Sequence, residues 1–269
     1  MSDRIEACFA AARQAGRKVL IPFVTAGDPD PELTVALMHG LVQAGADLIE
    51  LGVPFSDPMA DGPVIQASSE RAIARGVDLA QVQRWVGEFR ASDDATPVVL
   101  MGYMNPFERF GLTRLAARTA EAGVDGLLIV DCPPEELGAL AASLDTAGVA
   151  NIRLVALTTT GPRLQQITRG ARGFIYYVSF KGTTGAGHLD APALEEPIAR
   201  LRQHSPLPIA VGFGINSAEA ACAVARHADG VVIGSALVER LAACSGRDAV
   251  LAAAHDFMGG IRRALDAPA

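Results

Sequence analysis

Short apolar runs recur along the chain at residues 19–25, 47–53, 98–103, 126–131, 152–158, 173–179, 208–212 and 230–234. Most are continuous and do not alternate with polar residues, as expected of strands buried on both faces of a parallel sheet. Between them lie stretches with helical spacing. Asp30 and Pro31 form a cap and first-turn pair, after which Leu33, Leu37 and Leu41 make one apolar stripe and Gly45 a stop. Pro134 is expected to open another helix, with Leu137, Leu140 and Leu144 inward and Gly148 ending it. Asn216 and Glu219 have the spacing of a capping pair. Residues 3–16 read as an additional helix able to cover the end of a barrel.

A weak repeat runs through these junctions. Ala44-Gly45-Ala46-Asp47-Leu48-Ile49 resembles Ala122-Gly123-Val124-Asp125-Gly126-Leu127, and His227-Ala228-Asp229-Gly230-Val231-Val232 echoes both. Each marks a helix end feeding a buried strand. Strands alternating with helices, without a linker, predict one (β/α)₈ TIM barrel domain over residues 1–269. A doubly wound open sheet is the rival, but an early G-x-G-x-x-G fingerprint is missing.

Composition narrows the function. Half of the 269 residues are hydrophobic and only 5% are aromatic, which suits helix-on-sheet layers. The net charge of −7 disfavours nucleic acid and anionic membrane surfaces as partners. Cys8, Cys132, Cys222 and Cys244 lack C-x-x-C spacing and read as free thiols of a cytoplasmic protein. No secretory leader or membrane span is expected, and the scattered histidines suggest no metal site.

Candidate chemistry gathers where strands should end. Glu50 falls inside a strand-like run, where burial of an unpaired carboxylate would raise its pKa and make it a proton donor near neutrality. A structural ion pair with a buried Arg or Lys is the alternative. Asp61 follows on a Pro-, Gly- and Ser-rich loop, either as a second catalytic carboxylate or as a helix-capping residue. Val178-Ser179-Phe180-Lys181-Gly182-Thr183-Thr184-Gly185-Ala186-Gly187 could present backbone N–H groups to an anion or form a flexible loop. Gly212-Phe213-Gly214 and Gly234-Ser235 end the last two strands, where barrels commonly seat a phosphate.

Together these stretches resemble the tryptophan synthase alpha chain family. The resemblance rests on residues 22–29, 49–66, Met101-Gly102-Tyr103-Met104-Asn105-Pro106, Asp131-Cys132-Pro133-Pro134-Glu135, Tyr176-Tyr177-Val178-Ser179 and the glycine pairs above. It implies a lyase that cleaves indole-3-glycerol phosphate to indole and glyceraldehyde 3-phosphate by a retro-aldol reaction. It also implies no cofactor in this chain, pyridoxal phosphate in a partner beta chain, and an alpha2-beta2 tetramer. By resemblance, Glu50 is the acid/base and Asp61 the carboxylate that binds the indole N–H. Phe23, Tyr103, Leu128 and Tyr176 line the substrate, and Thr184 closes onto Asp61. Gly185, Gly214, Gly234 and Ser235 hold the phosphate. Thr183 and Leu157 depart from the family's usual Val and Pro. Other readings are a Schiff-base aldolase using Lys181, a stand-alone indole-producing lyase, and a mainly regulatory partner of a beta chain.

Overall fold

The computed structural model describes residues 4–159, 161–178, 191–212 and 214–267. Its elements follow in the order α1 (Arg4–Gln14), β1 (Val19–Thr25), α2 (Thr34–Gln43), β2 (Ile49–Gly52), α3 (Pro63–Ala74), α4 (Leu79–Arg90), β3 (Val98–Gly102), α5 (Met104–Phe110) and α6 (Leu112–Glu121). Then come β4 (Gly126–Ile129), α7 (Gly138–Ala147), β5 (Ala150–Ala156), α8 (Gly161–Thr168), β6 (Ile175–Val178), α9 (Glu195–His204), β7 (Ile209–Gly212), α10 (Ala218–Ala225), β8 (Gly230–Ile233), α11 (Ser235–Ala242) and α12 (Arg247–Asp266). The strands pair in chain order and close into a parallel barrel, with Val19 in register with Gly230 at the seam.

The apolar runs supply two cores at once. Leu20 and Val24 on β1, with Ile49 and Leu51 on β2, face the helices. Val19, Ile21 and Phe23 point into the barrel, as do Val99, Met101, Leu128 and Tyr176 on later strands. Period-two alternation is therefore present, but both faces are apolar and the alternation is invisible in composition.

The first helix closes the lower end as expected. Ile5 and Phe9 are buried, and Phe9 packs on Phe174 with ring centroids 5.5 Å apart. Asp30 caps a short 3-10 turn at Pro31–Leu33 by accepting from the Glu32 N–H, and α2 continues from it.

Two expected helix starts are corrected. Residues 133–136 close a turn of their own, with the Glu136 N–H donating to the Pro133 carbonyl, so α7 begins only at Gly138. Leu140 and Leu144 are still buried, and Gly148 ends the helix at φ 73°. The cap of α10 is Ser217 rather than Asn216: its hydroxyl accepts from the Ala220 N–H at 3.2 Å, a contact suited to its short side chain.

The repeat has a physical basis at the bottom of the barrel. Asp47, Asp125 and Asp229 donate their N–H to the carbonyls of Leu20, Val98 and Ile209. Their carboxylates accept from the N–H of those same residues, each at 2.8 Å. Arginines close each clamp: Arg262 on Asp47, Arg90 and Arg4 on Asp125, and Arg202 on Asp229. At Gly45, φ is 97° and an added Cβ would meet Arg262 Cγ at 2.5 Å; at Gly123, φ is 80° and it would meet Arg90 Cγ at 2.8 Å. The glycine thus ends the helix and makes room for the arginine.

Candidate active site

Strand β2 brings a carboxylate into the barrel. Glu50 sits one residue after Ile49, which faces the helices, so the pleat turns Glu50 inward. It is 1% exposed, and neither carboxylate oxygen has a hydrogen-bond partner among the described residues. Among the described residues no Arg or Lys forms an ion pair with it. Burial, reinforced by Asp61, pushes its pKa up to about 8.

Asp61 reaches the same space from the β2–α3 loop. The loop is held by turns: the Asp61 N–H donates to the Pro58 carbonyl at 3.0 Å, and Gln66 Nε2 donates to the Asp61 carbonyl at 2.8 Å. Asp61 does not cap α3, whose cap position is Gly62. Its side chain is buried, which raises its pKa to about 6, while a hydrogen bond from Tyr103 opposes the rise. Asp61 loses its proton first and meets a neutral Glu50, whereas Glu50 must ionise beside an existing anion. The field between them therefore falls on Glu50. Tyr176 on β6 feels both carboxylates, and its phenol is pushed well above its ordinary range, first by burial.

Aromatic side chains shape the surrounding space. Phe23 lies over Gly52, where an added Cβ would come within 2.6 Å of its ring. Tyr103 stacks with Phe55 at 5.3 Å between centroids, and its hydroxyl accepts from the Ala60 N–H at 3.1 Å. Leu128 faces the same interior from β4. A small cleft of about 10 Å³ lies between Phe23, Asp61, Met101 and Tyr103.

The sequence reading missed several residues beside this cleft. Thr25 and Ser68 share a buried hydroxyl contact of 2.6 Å, and Ile65 and Ser69 of α3 line the wall. Their signal was a helix whose inward face carries serines. Asp28, in the matching segment at the end of β1, is buried and gripped by Arg71 of α3 at 2.6 and 2.9 Å. It anchors the helix that follows Asp61.

Across the mouth stand the glycine-rich ends of β7 and β8. Gly214 has φ 76°, open to glycine at little cost. Gly234 is the cap residue of α11 and Ser235 its first residue, so the N-terminal N–H groups of α11 begin at the end of β8. Gly234 also adjoins Phe23: an added Cβ would lie 3.7 Å from its side chain. Lys181, Thr183, Thr184 and Gly185 lie outside the described residues. Leu157 is described, half-buried beside the helix-facing core.

Comparison with known proteins identifies the family. A family model described as tryptophan synthase alpha chain matches residues 9–265. The chain is 54% identical over 267 residues to the tryptophan synthase alpha chain of Laribacter hongkongensis, covering 98% of this chain and all of that one. It is 58% identical over 243 residues to that of Chromobacterium violaceum, covering 90% and 92%. The crystal structure of tryptophan synthase subunit alpha from Legionella pneumophila superposes with a TM-score of 0.90 at 41% identity, covering 99% of each chain. A chain of Mycobacterium tuberculosis tryptophan synthase superposes with a TM-score of 0.88 at 32% identity, covering 99% of this chain and all of that one. The chain belongs to the tryptophan synthase alpha chain family.

Proposed function

We propose that Glu50 and Asp61 cleave indole-3-glycerol phosphate to indole and glyceraldehyde 3-phosphate, the alpha reaction of tryptophan biosynthesis, in one barrel domain formed by the whole chain. The observation that carries this reading is the pairing of two buried carboxylates of different acidity inside the barrel. Glu50, with a pKa near 8, holds its proton at neutral pH and can deliver it to indole C3. Asp61, with a pKa near 6, is then an anion able to accept the indole N–H and stabilise the indolenine-like intermediate. Glu50, once ionised, can take the proton from the hydroxyl on the glycerol carbon joined to indole as the carbon–carbon bond breaks and that carbon becomes the aldehyde. Phe23, Tyr103, Leu128 and Tyr176 would enclose the ring, and Thr184 would close onto Asp61.

Gly214, Gly234 and Ser235, with Gly185, would seat the phosphate. Its binding energy is remote from the reacting carbon and serves to orient it. The chain supplies these steps from its own side chains, and pyridoxal phosphate is assigned to a beta chain. That partner would dock on the groove of about 980 Å³ beside Pro54, Phe55, Asn105, Pro106 and Arg109, where Met59 nearby is 79% exposed. The family resemblance implies that the two chains assemble as an alpha2-beta2 tetramer. A cytoplasmic location fits the biosynthetic role; no helix among the described residues is long and apolar enough to cross a membrane.

The test is indole release from indole-3-glycerol phosphate, with and without a beta chain. Glu50→Gln is expected to lower turnover by about 10²–10⁴-fold with the circular-dichroism spectrum unchanged. Near-normal turnover in that variant would overturn the assignment.

A further inference from the structure

Between the outer face of β5, the β4–α7 loop and α8 lies a second cavity, of about 260 Å³, away from the two carboxylates. Its walls include Asp131, Cys132, Asn151, Arg153 and Arg163. Asn151 and Arg153 stand two residues apart on β5, so both turn outward from the barrel, while Ile152 between them belongs to the interior core.

Arg153 is 6% exposed, and its Nε and Nη1 have no hydrogen-bond partner among the described residues. Asn151, at 4% exposure, leaves its Nδ2 without a partner as well. A guanidinium stays protonated in proteins, so this is a buried positive charge with donors left over. Such a group is costly unless paired. The nearby carboxylates have other partners. Glu135 is held by Arg163, Asp145 by Arg172, and Asp131 accepts from the Met104 N–H. The Cys132 thiol is held neutral, its pKa pushed up to about 11, chiefly by burial.

We propose that this cavity is a binding site for a small oxyanion, a phosphate or a compact carboxylate, held by Arg153 with Asn151 beside it. The unpartnered Nε–H and Nη1–H lie on different edges of the guanidinium, so each can donate one charge-assisted hydrogen bond to an anion in the cavity, and the Asn151 amide adds another donor from the same strand face. The volume falls below the roughly 300 Å³ at which drug-sized pockets begin, which limits the occupant to a small metabolite anion. Asp131 on the wall disfavours bulky, highly charged anions. This site does not depend on the proposed lyase chemistry, and it is separate from the phosphate seat at α11.

Thermal unfolding of the full chain with inorganic phosphate and with malonate, against chloride at matched ionic strength, tests the proposal. The α11 seat is the same in the native chain and in Arg153→Met, so the difference between them reports this cavity. Native protein should gain melting temperature with the anions, and R153M should lose about half of that gain or more. Without anion, R153M should melt no lower than the native chain, because the unpaired charge is gone. Asn151→Leu keeps the guanidinium, decides the matter if R153M does not fold, and should lose a smaller share. Equal gains in the native chain and in whichever variants fold would overturn the proposal. If only phosphate stabilises, the occupant is a phosphate; if both stabilise, the site accepts oxyanions generally.

Discussion

At the scale of single residues, the acidities of Glu50 and Asp61 define what can be measured. The dependence of kcat/KM on pH should be bell-shaped, with apparent values near 6 and 8 belonging to the pair. Tyr103→Phe removes the hydrogen bond that holds Asp61 down, so the acidic limb should move upward while the basic limb stays. A fixed acidic limb in that variant would count against Asp61 as its source. Stability offers an independent reading. Glu50 has a higher pKa folded than unfolded, so its contribution is intact below about 4.5 and is lost as pH rises to about 8. At pH 7 that loss is about 3 kcal/mol. Glu50→Gln should therefore be more stable than the native chain at pH 8 and lose that advantage near pH 4. Equilibrium urea unfolding at the two pH values checks this.

At the scale of elements, much was legible because each strand is a dense apolar block punctuated by glycine. All eight expected strands are present, each within a few residues of its expected limits. The helix starts at Pro134 and Asn216 were misjudged because local turn and cap bonds, rather than periodicity, decide them. Glu50 was legible since a carboxylate in an apolar run stands out. The hydroxyl contact of Thr25 with Ser68 was not, because it joins residues on different elements. The aspartate repeat was seen as a junction mark, but its clamp needs arginines distant in sequence, such as Arg262 on Asp47. Asp125→Ala should strand Arg90 and the Val98 N–H, costing about 3–5 kcal/mol. Since this clamp lies at the end opposite the carboxylates, kcat and KM of the folded fraction should be unchanged. Chemical denaturation read alongside indole-release kinetics would separate the two effects.

At the scale of the whole molecule, the barrel separates tasks by its ends. Arginine clamps and α1 hold the N-terminal ends of the strands, while the carboxylates and the glycine-rich helix start of α11 occupy the other. The interior between them is a continuous apolar column that includes Phe9, Phe174, Leu48 and Leu128. Because burial is the first cause of the Glu50 shift, that column works as electrical insulation, and α1 is its gasket. Phe9→Ser should let water seep upward, so the basic limb of the pH profile should fall below about 8 without any change to a residue near the substrate. A limb that stays in place while the protein is merely less stable would show that the insulation lies higher in the barrel. If the limb falls, the proton affinity at one end of this enzyme is set by how tightly the other end is sealed.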